Sequence, residues 1–118
     1  MEQHCYFSFE KLDVYRVARE ALLLGVDARA KLRGLPGDFS SQFERALLSV
    51  VINIAEGAGR ESLADQRRHY VIARGSANEA GAAVEIAALY GALSTVEHEA
   101  LRSRLVRTVK MLNAMVRR

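Results

Sequence analysis

The 118-residue sequence contains one proline, one cysteine and no tryptophan, and it lacks any long uninterrupted apolar run. A single cysteine, Cys5, cannot form a disulfide within the chain, which favours a reducing compartment. Charged residues interrupt every apolar segment well before the roughly 18 residues of a membrane span, so no membrane helix is expected. Residues 1–5 also lack the basic and apolar regions of a signal peptide. The sequence therefore predicts a cytoplasmic protein without a membrane partner.

Motifs for metal, cofactor and catalytic chemistry are missing as well. None of His4, His69 and His98 has a glutamate three residues before it, as di-iron bundles require. Paired Cys-x-x-Cys and His-Glu-x-x-His patterns are absent. Cys5 lies near the terminus without a basic neighbour, which favours a packed thiol over a nucleophile. We predict no catalytic residue, no metal, no cofactor and no small-molecule substrate.

What the sequence has in abundance is helix formers. Ala, Leu, Arg, Glu and Lys make up half of the chain. A serine followed three positions later by an acidic residue caps a helix N-terminus, and this pattern occurs at Ser41/Glu44, Ser62/Asp65 and Ser94/Glu97. We predict four helices at about residues 10–33, 42–58, 63–92 and 95–117, in one domain that spans residues 1–118. Short connections between them indicate an all-α, antiparallel up-down four-helix bundle.

The apolar pattern differs between the helices. Single stripes run along the first and fourth helices, comprising Val14, Ala18, Ala21, Gly25, Ala28 and Leu32 in the first and Leu101, Leu105, Val109 or Thr108, Leu112 and Val116 in the fourth. Residues 46–55 of the second helix are apolar nearly all round, with only Ser49 and Asn53 polar, so we expect that helix to be buried on most sides. A strand is the alternative for this β-branched run, but the adjoining helical segments favour a helix.

The third helix carries few large side chains and contains Gly75 and Gly81. Because each interior glycine costs about 1 kcal/mol of helix stability, we expect a compensating close approach of neighbouring backbones.

Several apolar residues of the third and fourth helices lie outside the main stripes, namely Val71, Ile72, Ile86, Leu89, Val106, Met111 and Met115. A small bundle has difficulty covering all of them, and contiguous exposed apolar surface usually marks an interface, so we predict a homo-oligomer.

The segment Gly57-Ala-Gly-Arg60 connects the second and third helices. Free N–H groups at a helix N-terminus attract anions, so a phosphate loop is one interpretation. However, no strand precedes the segment and its spacing fits neither the dinucleotide nor the P-loop pattern. We favour a helix cap and tight turn, in which glycine adopts left-handed geometry.

Ser49 and Asn53 are polar residues on an apolar helix, and they need partners if they are buried. We interpret them as a hydrogen-bond network that fixes the register between helices, rather than as a ligand site. Four charged residues could join this network as half-buried ion pairs, namely Arg45, Glu56, Arg74 and Glu79.

Positive charge is concentrated in two places, although the net charge of the chain is only +3. Residues 100–118 contain six basic and no acidic side chains, and a second basic cluster surrounds the start of the third helix. Guanidinium groups suit phosphates well. The candidate nucleic-acid-binding residues are Arg60, Arg67, Arg68, Arg74, Arg104, Arg107, Lys110, Arg117 and Arg118. A solvated basic face that complements the helix dipole is the alternative, and both interpretations stand.

Several motifs carry a resemblance to a known family. They are Phe9-Glu-Lys-Leu-Asp-Val-Tyr15, Gln42 and Arg45, Ser49, Asn53-Ile-Ala-Glu-Gly-Ala-Gly-Arg60, and Ala73-Arg-Gly-Ser76 with Glu79. Over roughly residues 9–112 the chain resembles the bacterial four-helix bundle family of proteins encoded by intervening sequences in 23S rRNA genes. The matching motif positions, to which we assign a structural role, are Asn53, Glu56, Gly57, Gly59, Arg60, Arg74, Gly75, Ser76 and Glu79.

The resemblance implies an up-down four-helix bundle assembled as a homopentameric ring. One related branch, the accessory protein of diversity-generating retroelements, binds nucleic acid and a reverse transcriptase through a basic surface, while most members have no known activity. Many relatives have a proline at the position of Val51, so we expect a straighter second helix here.

Two functional hypotheses follow. The first is a non-enzymatic, oligomeric module that binds RNA or DNA through phosphate contacts with weak sequence specificity; eight aromatic residues without basic interleaving do not support base stacking. The second is a protein-interaction scaffold that assembles with a partner protein and has no direct nucleic-acid role.

Overall fold

The computed structural model describes residues 6–117, which form four α-helices and no β-strand. A 3₁₀ turn at Ser8–Lys11 precedes α1 (Asp13–Leu32), α2 (Phe39–Ala58), α3 (Leu63–Leu89) and α4 (Thr95–Val116). The predicted all-α class is confirmed. α1 and α3 each pack against both α2 and α4, so the helices form a closed square in chain order.

Side-chain pairs between neighbouring helices give their relative direction. Ser49 of α2 meets Ser76 of α3, whereas Asn53, further along α2, meets His69, which lies earlier in α3. The same reversal occurs between α1 and α4, where Glu20 contacts Arg104 and Lys31 contacts Glu97. Neighbouring helices are therefore antiparallel, in an up-down arrangement.

Serine side chains begin two helices as predicted. Ser62 Oγ accepts the Asp65 N–H at 3.1 Å, and Ser94 Oγ accepts the Glu97 N–H at 3.1 Å while Glu97 Oε1 accepts the Ser94 N–H at 2.8 Å. The third predicted cap, at Ser41, is wrong. α2 begins at Phe39 with Asp38 as its N-cap, because the turn is complete once Gly37 has entered left-handed geometry at φ 61°.

Two predicted helix ranges are too long. Residues 10–11 belong to the 3₁₀ turn, so α1 begins at Asp13. α3 ends at Leu89 and not at residue 92, because the chain turns at Gly91, which has a φ of 73°. In both places the local turn stops a helical pattern that the composition alone would extend.

The core contains the predicted stripes of α1 and α4. All six stripe residues of α1 are buried, and in α4 the buried residue at the alternative position is Thr108 rather than Val109. The Thr108 hydroxyl donates to the Arg104 carbonyl at 2.8 Å, which satisfies its polar group inside the core. The prediction for α2 is too broad, because Leu48 and Ile52 remain 40% and 55% exposed on its outer side.

α3 contributes a row of small buried residues to the core. Ala73, Ala77, Ala80 and Ala87 are all essentially inaccessible to solvent. The expected close approach at Gly75 and Gly81 is wrong within this chain, since a Cβ added at either position would meet no atom within 4 Å among the described residues. Alanine, and not glycine, therefore brings α3 close to its neighbours.

Close approach to a glycine occurs instead at Gly57. A Cβ added there would lie 2.6 Å from Tyr70 Cε1 and 3.2 Å from His69 Cβ. Gly57 is buried inside α2, and Gly59 caps the helix with an ordinary φ of −91°. The predicted left-handed glycine turn in this segment is therefore wrong, and the need for glycine at position 57 is one of space.

Candidate nucleic-acid interface

The side of α4 opposite the core forms a basic surface, which we call the α4 outer face. It consists of Ser103, Arg107, Lys110, Ala114 and Arg117, which recur at spacings of four and three. All five residues are exposed. Within residues 6–117, no carboxylate lies within ion-pair distance of Arg107, Lys110 or Arg117. These three side chains can meet a polyanion without breaking an internal contact.

Three other candidate arginines are engaged with carboxylates. Arg60 Nη2 lies 2.9 Å from Glu56 Oε1, and Arg60 Nε lies 3.7 Å from Asp65 Oδ2. Arg68 Nη2 lies 3.2 Å from Asp65 Oδ1. Arg104 Nε lies 3.3 Å from Glu20 Oε1 on α1. Binding of a phosphate at these positions would compete with an existing ion pair.

The remaining two described candidates connect α3 to α4. Arg67 Nε donates to the Val116 carbonyl at 3.1 Å, and Arg74 Nη1 donates to Asn113 Oδ1 at 3.0 Å. Both partners lie far away in the sequence, so no local pattern reveals them. Arg118 lies outside the described residues. The structure thus divides the candidate binding residues into those that face solvent without an internal partner and those that bond to other parts of the chain.

Four polar side chains lie along the contact between α2 and α3, which we call the α2–α3 seam: Ser49, Asn53, His69 and Ser76. The hydroxyl oxygens of Ser49 and Ser76 are 2.7 Å apart. Asn53 Nδ2 donates to the Ser49 carbonyl at 2.9 Å and to Ser49 Oγ at 3.2 Å. The hydrogen-bond network predicted at Ser49 and Asn53 is present, and it joins two helices at a fixed register.

His69 is the member of this seam that the sequence did not reveal. Its Nδ1 lies 3.1 Å from Asn53 Oδ1, and its Nε2 lies 3.1 Å from Arg68 Nη2 and 3.8 Å from Glu56 Oε1. The residue is only 7% exposed. Its position four residues before the buried Ala73 is the signal that could have placed it on the inner side of α3.

Not every residue expected in the network takes part. Glu56 joins it through His69 and Arg60. Arg74 faces α4 instead, because its position on α3 directs it to the other side of the helix. Arg45 and Glu79 are exposed, and neither has a hydrogen bond or ion pair within residues 6–117.

Among the other motif residues, Gly57 packs against Tyr70, whereas Gly59 and Gly75 are exposed. The motif therefore combines packed and solvent-facing positions.

A cavity of about 290 Å³ lies where the 3₁₀ turn meets the end of α2, the start of α3 and the end of α4. Its walls are mostly apolar, with polar groups from Ser8, Gln66 and Arg67. Gln66 Nε2 donates to the Arg60 carbonyl at 2.8 Å, so it ties the α2–α3 connection to α3. The lining contains no arrangement of a nucleophile with a base.

Two further features are absent from the same part of the chain. No group of three or more His, Cys, Asp or Glu side chains in residues 6–117 is placed to hold a metal ion. None of the four helices has the length and apolarity to cross a membrane. Cys5 and His4 lie outside the described residues.

Two glutamates near the turn between α3 and α4 have perturbed acidity. A hydrogen bond from His98 and a second one from Arg102 hold the pKa of the Glu85 carboxyl below its ordinary value. Hydrogen bonds from Lys31 and from the Ser94 backbone lower the pKa of Glu97 in the same way. Both carboxylates are therefore charged partners in structural contacts.

Comparison with known proteins gives a family, and among the solved structures a well-matched relative. The sequence profile of a family described as 23S rRNA-intervening sequence protein matches residues 10–114. A crystal structure of a protein of unknown function, from the S23 ribosomal protein family of Bacteroides thetaiotaomicron, superposes with a TM-score of 0.81. The two chains are 21% identical, and the match covers 89% of this chain and 99% of the other. No curated protein matches the sequence.

Proposed function

The chain belongs to the family of 23S rRNA-intervening sequence proteins, and from this premise we propose that it is a non-enzymatic, oligomeric bundle that binds nucleic acid through phosphate contacts. The α4 outer face carries the proposal. Arg107, Lys110 and Arg117 project from one side of a single helix with no internal carboxylate partner in residues 6–117. Basic side chains of this kind release counterions when they neutralise phosphates, which supplies affinity without reading sequence.

Assembly would strengthen this surface. One protomer offers few free cations, whereas a ring of protomers repeats them and creates a stronger field for a polyanion. Exposed apolar residues on α2 and α3 support such an assembly, since Leu48, Ile52, Ile72 and Ile86 are each between 40% and 55% exposed. We propose a homo-oligomer, with the pentamer favoured by the resemblance described above, acting in the cytoplasm on structured RNA, DNA or both.

The test is a salt-titrated binding assay with a fluorescently labelled RNA hairpin. The variant Arg107→Glu/Lys110→Glu should bind more weakly, and the slope of log Kd against log salt should become shallower by about two, because each lost phosphate contact removes about one. The control Arg19→Glu/Arg33→Glu makes the same change in net charge at exposed positions of α1 and its C-cap. Equal effects of the two variants, or wild-type binding that does not weaken with salt, would contradict the proposal.

A second candidate function is a protein-interaction scaffold. It is favoured by the turn between α3 and α4, where Leu89 and Val96 are 87% and 77% exposed. Large apolar side chains at such exposure are characteristic of contact surfaces when they cluster. Recovery of a partner protein after nuclease treatment, unaffected by Arg107→Glu or Lys110→Glu, would favour this function. Sedimentation analysis of the full chain gives the oligomer number in either case.

A further inference from the structure

Two rows of side chains flank the α2–α3 seam on the outer side of the bundle. Residues that follow one another at spacings of four, three and four lie on one side of a helix. The α2 row consists of Arg45, Ser49, Ile52 and Glu56, and the α3 row consists of Ile72, Ser76, Glu79 and Ala83. Because the Ser49 and Ser76 hydroxyl groups hydrogen-bond across the seam, the two rows run side by side.

The two serines fix the height of the other row residues along the bundle. Arg45 precedes the α2 serine by four positions, and Glu79 follows the α3 serine by three. Because the helices are antiparallel, both lie in the same direction from the serines, and at 1.5 Å per residue their heights differ by only about 1.5 Å. Ile52 and Ile72 lie in the opposite direction, three and four positions away, and match each other equally closely.

Both matched pairs have contact capacity that the single chain does not use. Arg45 and Glu79 are exposed, and neither has a hydrogen bond or ion pair within residues 6–117. Ile52 is 55% exposed and Ile72 is 41% exposed. Opposite charges without partners thus lie beside exposed apolar side chains, with one member of each pair on either helix. Such a surface is complementary to a copy of itself.

We propose that a second copy of the chain docks on this surface, with the α2 row of one copy against the α3 row of the next. A rotation axis parallel to the helices leaves every height unchanged. It therefore brings Arg45 of one copy opposite Glu79 of the next, and Ile52 opposite Ile72, in a two-fold dimer and in a larger ring alike. The inference rests on the oligomer in the function proposed above, and it assigns the contact surface and the ion pair that aligns the copies.

The α4 outer face does not offer the same complementarity. Its charged side chains, Arg107, Lys110 and Arg117, are all positive, so two copies of that face would repel each other. It also contains no residue of the α2 row or the α3 row. Docking through the two rows therefore leaves the α4 outer face available to a polyanion.

Charge reversal tests the ion pair. Arg45→Glu places two carboxylates opposite each other at every contact, so self-association of the full chain, measured by sedimentation equilibrium, should weaken about tenfold or more. Glu79→Arg should have the same effect through two guanidinium groups. The double variant Arg45→Glu/Glu79→Arg restores opposite charges and should assemble like the wild type. The controls Arg19→Glu and Glu99→Arg make the same charge changes at exposed positions of α1 and α4 and should leave assembly unchanged.

Mixing the single variants tests whether the pair joins two chains. In an equal mixture of Arg45→Glu and Glu79→Arg, chains of the two kinds can alternate with opposite charges at each contact. The mixture should therefore assemble more strongly than either variant alone. A ring with an odd number of copies keeps one contact between like charges, so its rescue should be partial. An ion pair confined to one chain could not be restored by mixing.

A substitution at the apolar part of the surface gives a second measurement. Ile52→Glu would bury a carboxylate against Ile72 of the next copy, which is costly without a partner, and assembly should be lost. Since Ile52 is outside the core, the helical content measured by circular dichroism should not change. Leu23→Glu is the matched control, because Leu23 is 61% exposed on α1 and outside both rows. Equal effects on assembly would contradict the assignment of this surface.

The outcomes separate this inference from the proposed function. A wild-type chain that sediments as a monomer at all concentrations would overturn the inference, and binding of the labelled hairpin would still decide the nucleic-acid function. An oligomer that is unaffected by Arg45→Glu, or a mixture without rescue, would overturn the inference and leave oligomerisation to another surface. An oligomer that behaves as expected but binds no hairpin would contradict the function and leave the docking surface established.

Discussion

The α2–α3 seam and the contact between α1 and α4 use polar residues in opposite ways. In the α2–α3 seam, Ser49, Asn53 and His69 are buried or half-buried and bond to one another. Between α1 and α4, the polar contacts are two ion pairs at the rim, Glu20–Arg104 at 3.3 Å and Lys31–Glu97 at 2.7 Å, whose side chains are 30–53% exposed. Buried polar groups must find particular partners, whereas exposed ones can return to water. Burial, and not polarity, therefore decides which contact fixes the register.

The largest expected effect is at Gly57, where α2 meets Tyr70. Gly57→Ala places a methyl group 2.6 Å from the Tyr70 ring, and overpacking of this kind lowers the free energy of unfolding by about 1 to 3 kcal/mol. Gly75→Ala is the matched control on α3. A Cβ there meets open space among residues 6–117, so this substitution should raise stability by about 0.5 to 1 kcal/mol. Urea unfolding of both variants measures the two changes in stability, and changes of the same sign would contradict this expectation.

Next in size is the loss of Asn53. Asn53→Ala leaves Nδ1 of the buried His69 without its hydrogen-bond partner, and an unsatisfied buried polar group costs about 1 to 3 kcal/mol. Asn113→Ala removes the partner of Arg74, which is only half-buried. The Arg74 guanidinium can then hydrogen-bond water, so the expected loss of stability is smaller. Thermal and urea unfolding rank the stability losses of the two variants. A larger loss for Asn113→Ala would show that the buried polar contacts of the α2–α3 seam do not contribute more to stability than the contact between Arg74 and Asn113.

A smaller effect is expected at the rim between α1 and α4. Glu20→Gln removes the ion pair with Arg104, and exposed pairs contribute about 0 to 1 kcal/mol. Urea unfolding at low and high salt measures the change, which should shrink as salt rises. A loss as large as that of Asn53→Ala would mean that the rim also fixes the register.

The smallest effect is a pH dependence at Glu97. Hydrogen bonds from Lys31 and Ser94 lower the pKa of Glu97 in the folded state. Its contribution is therefore present above the pKa of the unfolded chain and disappears as the pH falls through the lowered folded value. Wild-type stability should decline in acid more steeply than that of Glu97→Gln, as measured by urea unfolding along a pH series. Parallel curves would exclude this contribution.

Much of the fold could be predicted because its signals are local. The stripe of α1 repeats every three or four residues, and the caps at Ser62 and Ser94 depend on side chains three residues away. The start of α2 could not be predicted from Ser41, because a turn at Gly37 decides where that helix begins. The capping pattern at Ser41 fails to predict the helix start because a second local signal, the turn at Gly37, lies just before it.

The candidate site was harder to predict, because its contacts join distant residues. Spacing on one helix shows that Ser49 and Asn53 share a side, but it does not show that His69 faces them from α3. Likewise, the basic residues of α3 and α4 have the same charge in the sequence, while only folding brings Val116 to Arg67 and Asn113 to Arg74. Charge counts cannot distinguish an arginine that faces solvent from one that holds two helices together.

The alanine row of α3 has a consequence for how such a sequence can change over generations. Ala73, Ala77, Ala80 and Ala87 are almost completely buried, and interiors are close-packed, so a larger side chain there would have to displace neighbouring atoms. Substitutions can accumulate on the outward positions of α3 without moving any helix. We expect lineages of this bundle to diverge freely in surface charge and very little in the size of these four side chains.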